Sequence, residues 1–274
     1  MGKTADMPQS KQSSIEASPQ STSSRLPDPA DITLDAPWHW LAMGWQDFRK
    51  AGYASFAYGV MMVCISWLVT LVAIRLEQVH LILPMAAGFF LMAPLLGGVA
   101  YDISRQLETR DKVSLPSAIG SWKRNPIHVA AIGLIMMLFM MAWMRIAMVM
   151  FALSFTFEHV TFETFFDVLL TSKNSIPFLL IGSGLGAVLA LLVFALTAIS
   201  IPMLLDRETD AFSAIITSFK VVGNNFAAMM LWAGLIVFLL AIGIMTFYIG
   251  LAVILPWLGH ATWHAYRQTV PKTE

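Results

Sequence analysis

Two histidines, His260 and His264, stand four residues apart near the C-terminal end of the chain. At that spacing both imidazoles share one face of a helix and could offer two nitrogens to a metal ion or a haem iron. A third ligand is missing locally, and His128 could supply it from the start of another apolar stretch. The same histidines, with Trp257, Trp263 and Tyr266, also fit an aromatic belt that anchors a helix at a membrane–water boundary. Met137, Met141, Met144 and Met148 form a helical stripe with a second double meaning. Thioether sulfur suits Cu(I), and methionine is also the side chain that fills irregular gaps between helices. Arg145, set within the stripe, would repel a cation.

Arg145 is the one ionisable residue well inside an apolar run. A charge there is costly unless it is paired or reaches the headgroups. Glu158, Glu163 and Asp167, shortly after it in sequence, are the expected counter-charges, and an anion or substrate site is the alternative. Gly182, Gly186 and Ala190 have the small-residue spacing that lets helices pack closely. No hydrolytic triad, zinc-protease, phosphate-loop or calcium-loop pattern is present. The expectation is therefore no catalytic residue and no cofactor, with haem or copper on the histidines as the exception.

These residues need elements to hold them, and composition names the kind. Of 274 residues 57% are hydrophobic and 12% charged, and mean hydropathy is +0.69. That excludes a soluble globular enzyme and a disordered chain, and points to an all-α, polytopic membrane bundle. Lys plus Arg and Asp plus Glu each number 17, so no overall charge attracts nucleic acid. The expected partners are the lipid bilayer and other membrane proteins. Cys64 lies in an apolar run with no second cysteine to pair with. Residues 1–36, rich in serine and proline, read as a disordered tail, followed by a transmembrane domain over 37–268 and a short tail over 269–274.

Spans are expected near 54–74, 79–101, 127–153 and 176–205. The last apolar stretch, Phe226–Leu258, would make a single helix about 50 Å long, too long for a ~30 Å hydrocarbon core. It is either one helix kinked at Pro256 or two, near 226–244 and 247–266, with a turn around Gly243–Gly250. Charge favours two. All of the 17 Lys and Arg except Arg75, Arg145 and Lys173 fall on one side of a six-span arrangement, which the positive-inside rule makes cytoplasmic for both termini.

A repeat points the same way. Ala42-Met43-Gly44, Ala118-Ile119-Gly120 and Ala214-Ile215-Ile216 lie in three amphipathic segments, each before an odd-numbered span. Trp38, Leu41, Trp45 and Phe48 share a face in the first, as in a helix lying in the membrane interface. Asn125 and Asn224 close the second and third. Pro94, Pro202 and Pro256 mark the even-numbered spans. The chain reads as three units of interfacial helix plus transmembrane hairpin, with ion pairs between units from Asp102, Arg105, Asp206 and Arg207.

Trp45-Gln46-Asp47-Phe48, Pro84-Met85-Ala86-Ala87-Gly88, Tyr101-Asp102-Ile103-Ser104-Arg105, Leu205-Asp206-Arg207 and the run from Leu258 to Arg267 resemble a bacterial family of multi-pass membrane proteins of unknown function. Some of its members are labelled cytochrome c oxidase subunit I. The resemblance implies a bacterial inner-membrane location and no established activity. Haem–copper chemistry needs several histidines inside the bundle. Here His39, His80, His128, His159, His260 and His264 all lie near span ends or in loops, so the oxidase label does not fit. The functional expectation is a non-enzymatic scaffold, accessory or assembly protein. A small transporter or channel is the alternative, and a haem or copper redox component the third.

Overall fold

The computed structural model describes residues 29–110, 112–155 and 171–271, together with Gly2 and Asp167. Eleven α-helices lie among the described residues, with no strand. They are α1 (Ala36–Ala51), α2 (Tyr53–Arg75), α3 (Ile82–Leu96), α4 (Gly98–Leu107), α5 (Leu115–Ile119) and α6 (Pro126–Ser154). After a gap in the description come α7 (Ser175–Thr197), α8 (Ser200–Asp206), α9 (Ala211–Asn224), α10 (Phe226–Met245) and α11 (Leu251–Thr269).

Five helical stretches are long and apolar enough to cross a membrane: Tyr53–Arg75, Ile82–Leu107, Pro126–Ser154, Ser175–Asp206 and Phe226–Met245. Two of them are interrupted. Pro94 and Gly97 mark the junction of α3 and α4. Between α7 and α8 the backbone N–H of Ile199 turns to Ser218 Oγ of α9, at 3.2 Å, and Pro202 has no N–H to close the helix onto the Ala198 carbonyl. The stretch after Phe226 is two helices and not one. They turn through residues 246–250, where Phe247 and Tyr248 take positive φ.

α11 is not among the five. Its first half is apolar, but its second carries His260, Thr262, His264 and Arg267. Lipid cannot solvate those groups, so protein must. The helix accordingly sits in the middle of the bundle, against α1, α2, α4 and α10. Close backbone approach seats it there. A Cβ on Gly44 of α1 would lie 2.6 Å from the Ala261 nitrogen, and one on Gly59 of α2 would fall on the Ala252 carbonyl.

The expected threefold order is visible. α1, α5 with the 3-10 turn Ser121–Arg124, and α9 each precede a long helix and the return that follows it. Asn125 and Asn225 are the matching N-caps of α6 and α10; the repeat register therefore places the second asparagine at 225, one residue beyond Asn224. Turns between paired helices gather at one end of the bundle. Trp67 Nε1 donates to the Phe247 carbonyl at 2.9 Å, and His80 stacks on Phe151. The amphipathic helices and most described charges gather at the other.

Two expectations meet a different outcome. The methionine stripe does not fill the core: Met137, Met141 and Met148 are exposed on the outer face of α6, and Met136 is the buried one. A bilayer is as apolar as the bundle interior, so hydropathy does not tell the two faces apart. The ordered chain also begins before residue 36. Asn225 binds the backbone of Ala30 and Ile32 at 3.1 and 2.8 Å. The rest of the N-terminal tail, up to residue 28, lies outside the described residues apart from Gly2, as do Glu158, His159 and Glu163.

Candidate functional site

At the charged end four helices bring five side chains into one hydrogen-bonded chain. Asp47 comes from α1, Ser55 from α2, Ser104 from α4, and His260 and His264 from successive turns of α11. Ser104 Oγ donates to Asp47 Oδ2 at 2.7 Å and lies 2.8 Å from His260 Nδ1. Since the only hydroxyl proton of Ser104 goes to the carboxylate, its oxygen accepts from the Nδ1–H of His260. A neutral His260 then accepts at Nε2 from the Ser55 hydroxyl, 2.8 Å away. His264 Nε2 reaches Asp47 Oδ2, also at 2.8 Å. Ser55, Ser104 and His260 are wholly buried.

Burial alone would raise the Asp47 carboxyl. The hydrogen bonds from His264 and Ser104, with the nearby imidazole charge, outweigh it and hold Asp47 below the usual aspartate value. The order Ser55–His260 is that of a nucleophile and its base. Neither lines the cavity described below, and the five side chains link α1, α2, α4 and α11.

Two ionic clusters flank it. The fully buried Asp102 carboxylate is held by Arg105 Nε at 2.8 Å and Arg124 Nη2 at 2.6 Å. Gln106 adds a third hydrogen bond, at 2.8 Å. Arg267 joins Asp206 and Glu108, each at 2.7 Å, over the rings of Trp263 and Tyr266. Asp102–Arg124 ties the first unit to the second, Asp206–Arg267 the second to the third, and Glu108–Arg267 the first to the third. Of the four residues expected to pair between units, Asp102 and Asp206 do so, with Arg124 and Arg267 as the cations that cross, whereas Arg105 and Arg207 make their ion pairs within their own units.

The histidine pair finds a different use from the metal site considered above. Both nitrogens of His260 and the Nε2 of His264 are engaged within the protein, and His128 makes none of these contacts. Among the described residues no group of three or more His, Cys, Asp and Glu side chains stands where it could hold a metal ion. Arg145 is exposed on α6 and makes no ion pair among the described residues. Of its expected partners Glu158 and Glu163 are not described. Gly182 and Gly186 face side chains and not a helix backbone: a Cβ there would meet Met150 at 3.5 Å and Trp143 at 3.2 Å.

The same glycines, with Ala190, line a cavity of about 930 Å³ among α3, α6, α7, α10 and α11. Its wall carries no carboxylate, imidazole, amine, guanidinium or thiol among the described residues. Sequence reasoning missed Asp47, Ser55, Ser104 and this cavity. Asp47 and Ser104 do fall inside the two short motifs, Trp-Gln-Asp-Phe and Tyr-Asp-Ile-Ser-Arg, that carry the family resemblance.

Residues 82–206, from α3 to α8, match the model of a family described as "Predicted integral membrane protein (DUF2189)". That description assigns no activity, and the match covers less than half of the chain. No curated protein and no solved structure matches the chain. With this similarity and five helices long and apolar enough to cross a bilayer, the chain is an integral membrane protein.

Proposed function

We propose that this integral membrane protein is a non-enzymatic accessory or scaffold component of the bacterial inner membrane, working through contacts with other membrane proteins. It crosses six times, α11 being the sixth span, with both termini in the cytoplasm. One observation carries the reading. The buried carboxylates and imidazoles of the charged end are spent on partners in the same chain, while the cavity presents no ionisable acid or base beyond the phenol of Tyr101. Chemistry on a substrate needs such groups within reach of it, and transport of polar solutes needs polar groups near the midplane.

What the protein does offer outward is apolar. Phe56 and Leu71 on α2 are exposed on the outer face of the bundle. A photo-crosslinker at either position, used in native membranes, should trap a discrete second protein. Crosslinks to lipid alone would overturn the accessory reading. The small-transporter alternative is favoured by the buried chain through His260, since imidazole and carboxylate relays carry protons in pumps. Purified protein in vesicles with an internal pH dye should add no proton flux under an imposed gradient, and saturable flux would replace the accessory reading with transport. The histidines His260, His264 and His128 do not come together as a haem or copper site, and a haem absorbance band or stoichiometric copper in the purified protein would overturn the accessory reading.

A further inference from the structure

We propose that the cavity is a slot for one acyl chain of a phospholipid, taken up tail first from the leaflet at the turn end of the bundle. The inference goes beyond the accessory reading and does not depend on it.

The wall sets the class of occupant. No charged side chain lines it among the described residues, so an ionised headgroup inside would lack a counter-charge, which an apolar interior strongly opposes. Its polar side chains have little to give. Trp143 Nε1 donates to the Pro84 carbonyl and Thr262 Oγ1 to the Leu258 carbonyl, both at 2.8 Å. The Tyr101 hydroxyl is turned against Gly97 and Thr262, the Trp232 indole is wholly buried, and Ser183 stands at the exposed edge. What remains for an occupant is hydrocarbon contact. The shape is long. On α7 the wall runs from Phe178 to Phe194, about 24 Å along the helix, well over half of a ~30 Å hydrocarbon core. Small side chains of α7 make the room: Gly182, Gly186, Ala187 and Ala190.

Exposure along the wall gives the direction of entry. α7 and α10 make little contact with each other, so the mouth is lateral and faces the hydrocarbon of the bilayer. Toward the turn end the wall residues Leu83, Leu179, Val237 and Phe238 are also exposed on the outside of the bundle. The edge-on contact of Phe178 with Phe151 holds that end of α7 beside the turns. Toward the charged end the slot is closed: Tyr101, Val193, Ala198, Leu258 and Thr262 line it and are buried. The tails of the leaflet at the turn end point toward the bilayer centre, the direction in which the slot deepens. Left without an occupant, about 930 Å³ would forfeit dispersion contact along the whole wall. Water would find few of the two to four polar partners that it needs there. A lipid tail from the adjoining leaflet supplies the contact and leaves its headgroup outside.

The test uses the full-length protein in nanodiscs of a phosphatidylcholine whose palmitoyl chain carries a diazirine near its methyl end. Crosslinked residues are mapped by mass spectrometry after illumination. Leu68, exposed on α2, reports chains that lie on the outside of the bundle. The expected result is labelling of Tyr101, Leu258 or Thr262 at the closed end, which an outside chain does not reach. Gly182→Leu narrows the mouth from a wall position where an added Cβ meets only the end of Met150, at 3.5 Å. It should lower labelling of the closed end about tenfold and leave Leu68 labelled as before. Palmitic acid with the same diazirine, added to nanodiscs of unlabelled lipid, tests the source. The proposal fails if Leu68 is labelled and the closed end is not, or if the acid labels the closed end and the phospholipid does not. It also fails if Gly182→Leu is labelled there as strongly as the natural protein.

Discussion

His264 Nε2 and Asp47 Oδ2 lie 2.8 Å apart across 217 residues of sequence. The contact fastens the last helix of the bundle to the first. The same carboxylate oxygen accepts from Ser104, so one anion links α1, α4 and α11. Asp47→Asn keeps the size and removes the charge. Hydrogen bonds to a charged group contribute about 1.5–3 kcal/mol, so this variant should insert normally and unfold at a lower temperature in detergent. An unchanged Tm would show that the network does not hold these helices together.

The pH dependence of that link has a definite sign. The folded-state value of Asp47 is lowered: burial opposes this, and the hydrogen bonds from His264 and Ser104 more than offset it. A lowered carboxyl stabilises the fold in full above the unfolded value, near 3.9, and loses that contribution as pH falls through the folded value. The Tm gap between the natural protein and Asp47→Asn should hold constant from about pH 7 to pH 5 and narrow below about pH 4. A gap that closes instead between pH 6 and 7 would assign the stabilisation to a histidine.

α2 meets α11 where Gly59 faces the Ala252 carbonyl. A methyl group at Gly59 has no space unless the two helices separate, and overpacking of this kind costs about 1–3 kcal/mol. Gly59→Ala should therefore lower Tm clearly. Gly234→Ala, placed where nothing lies within 4 Å, should leave it nearly unchanged. Equal effects of the two substitutions would mean that helix propensity, and not the α2–α11 contact, sets the outcome.

Much of this architecture is legible in the residues, for reasons of period and length. Apolar runs of membrane-spanning length fix the long helices to within a few residues. Pro94 and Pro202, read in the sequence only as marks of the even-numbered spans, lie beside the two interruptions of those spans, where proline cannot complete a helical ladder. The polar joint was half legible. His260 and His264 share a face at their spacing, but nothing local says that the face looks toward Asp47 and Ser104 and away from a metal. Those partners come from helices distant in sequence, and only the packing order brings them together. The cavity was the least legible part. Gly182, Gly186 and Ala190 carry the spacing of a helix-packing seam, and the same small side chains leave a space where no helix comes close. Exposure of Met137, Met141 and Met148 was hidden for a related reason: inside and outside are equally apolar in a membrane.

Topology rests on α11. By composition it is not one of the helices apolar enough to cross alone, and a five-span reading would leave the two ends of the chain on opposite sides. Packing argues for six. Its 19 residues rise about 28 Å, close to the hydrocarbon thickness. Its polar second half is shielded by α1, α2 and α4, with His260 and Tyr266 wholly buried. The turns 76–81 and 246–250 share one end through Trp67 and Phe247, while Arg267 returns to Asp206 and Glu108 at the other. Removing Cys64 gives a cysteine-free background, since it is the single cysteine. In that background Gln78→Cys and Ile249→Cys should react with an impermeant maleimide from outside intact cells. Arg110→Cys and Gly223→Cys should react only after the membrane is opened. Pro271→Cys, at an exposed position beyond α11, should also react only after the membrane is opened, and its labelling from outside intact cells would remove the last crossing and leave five spans.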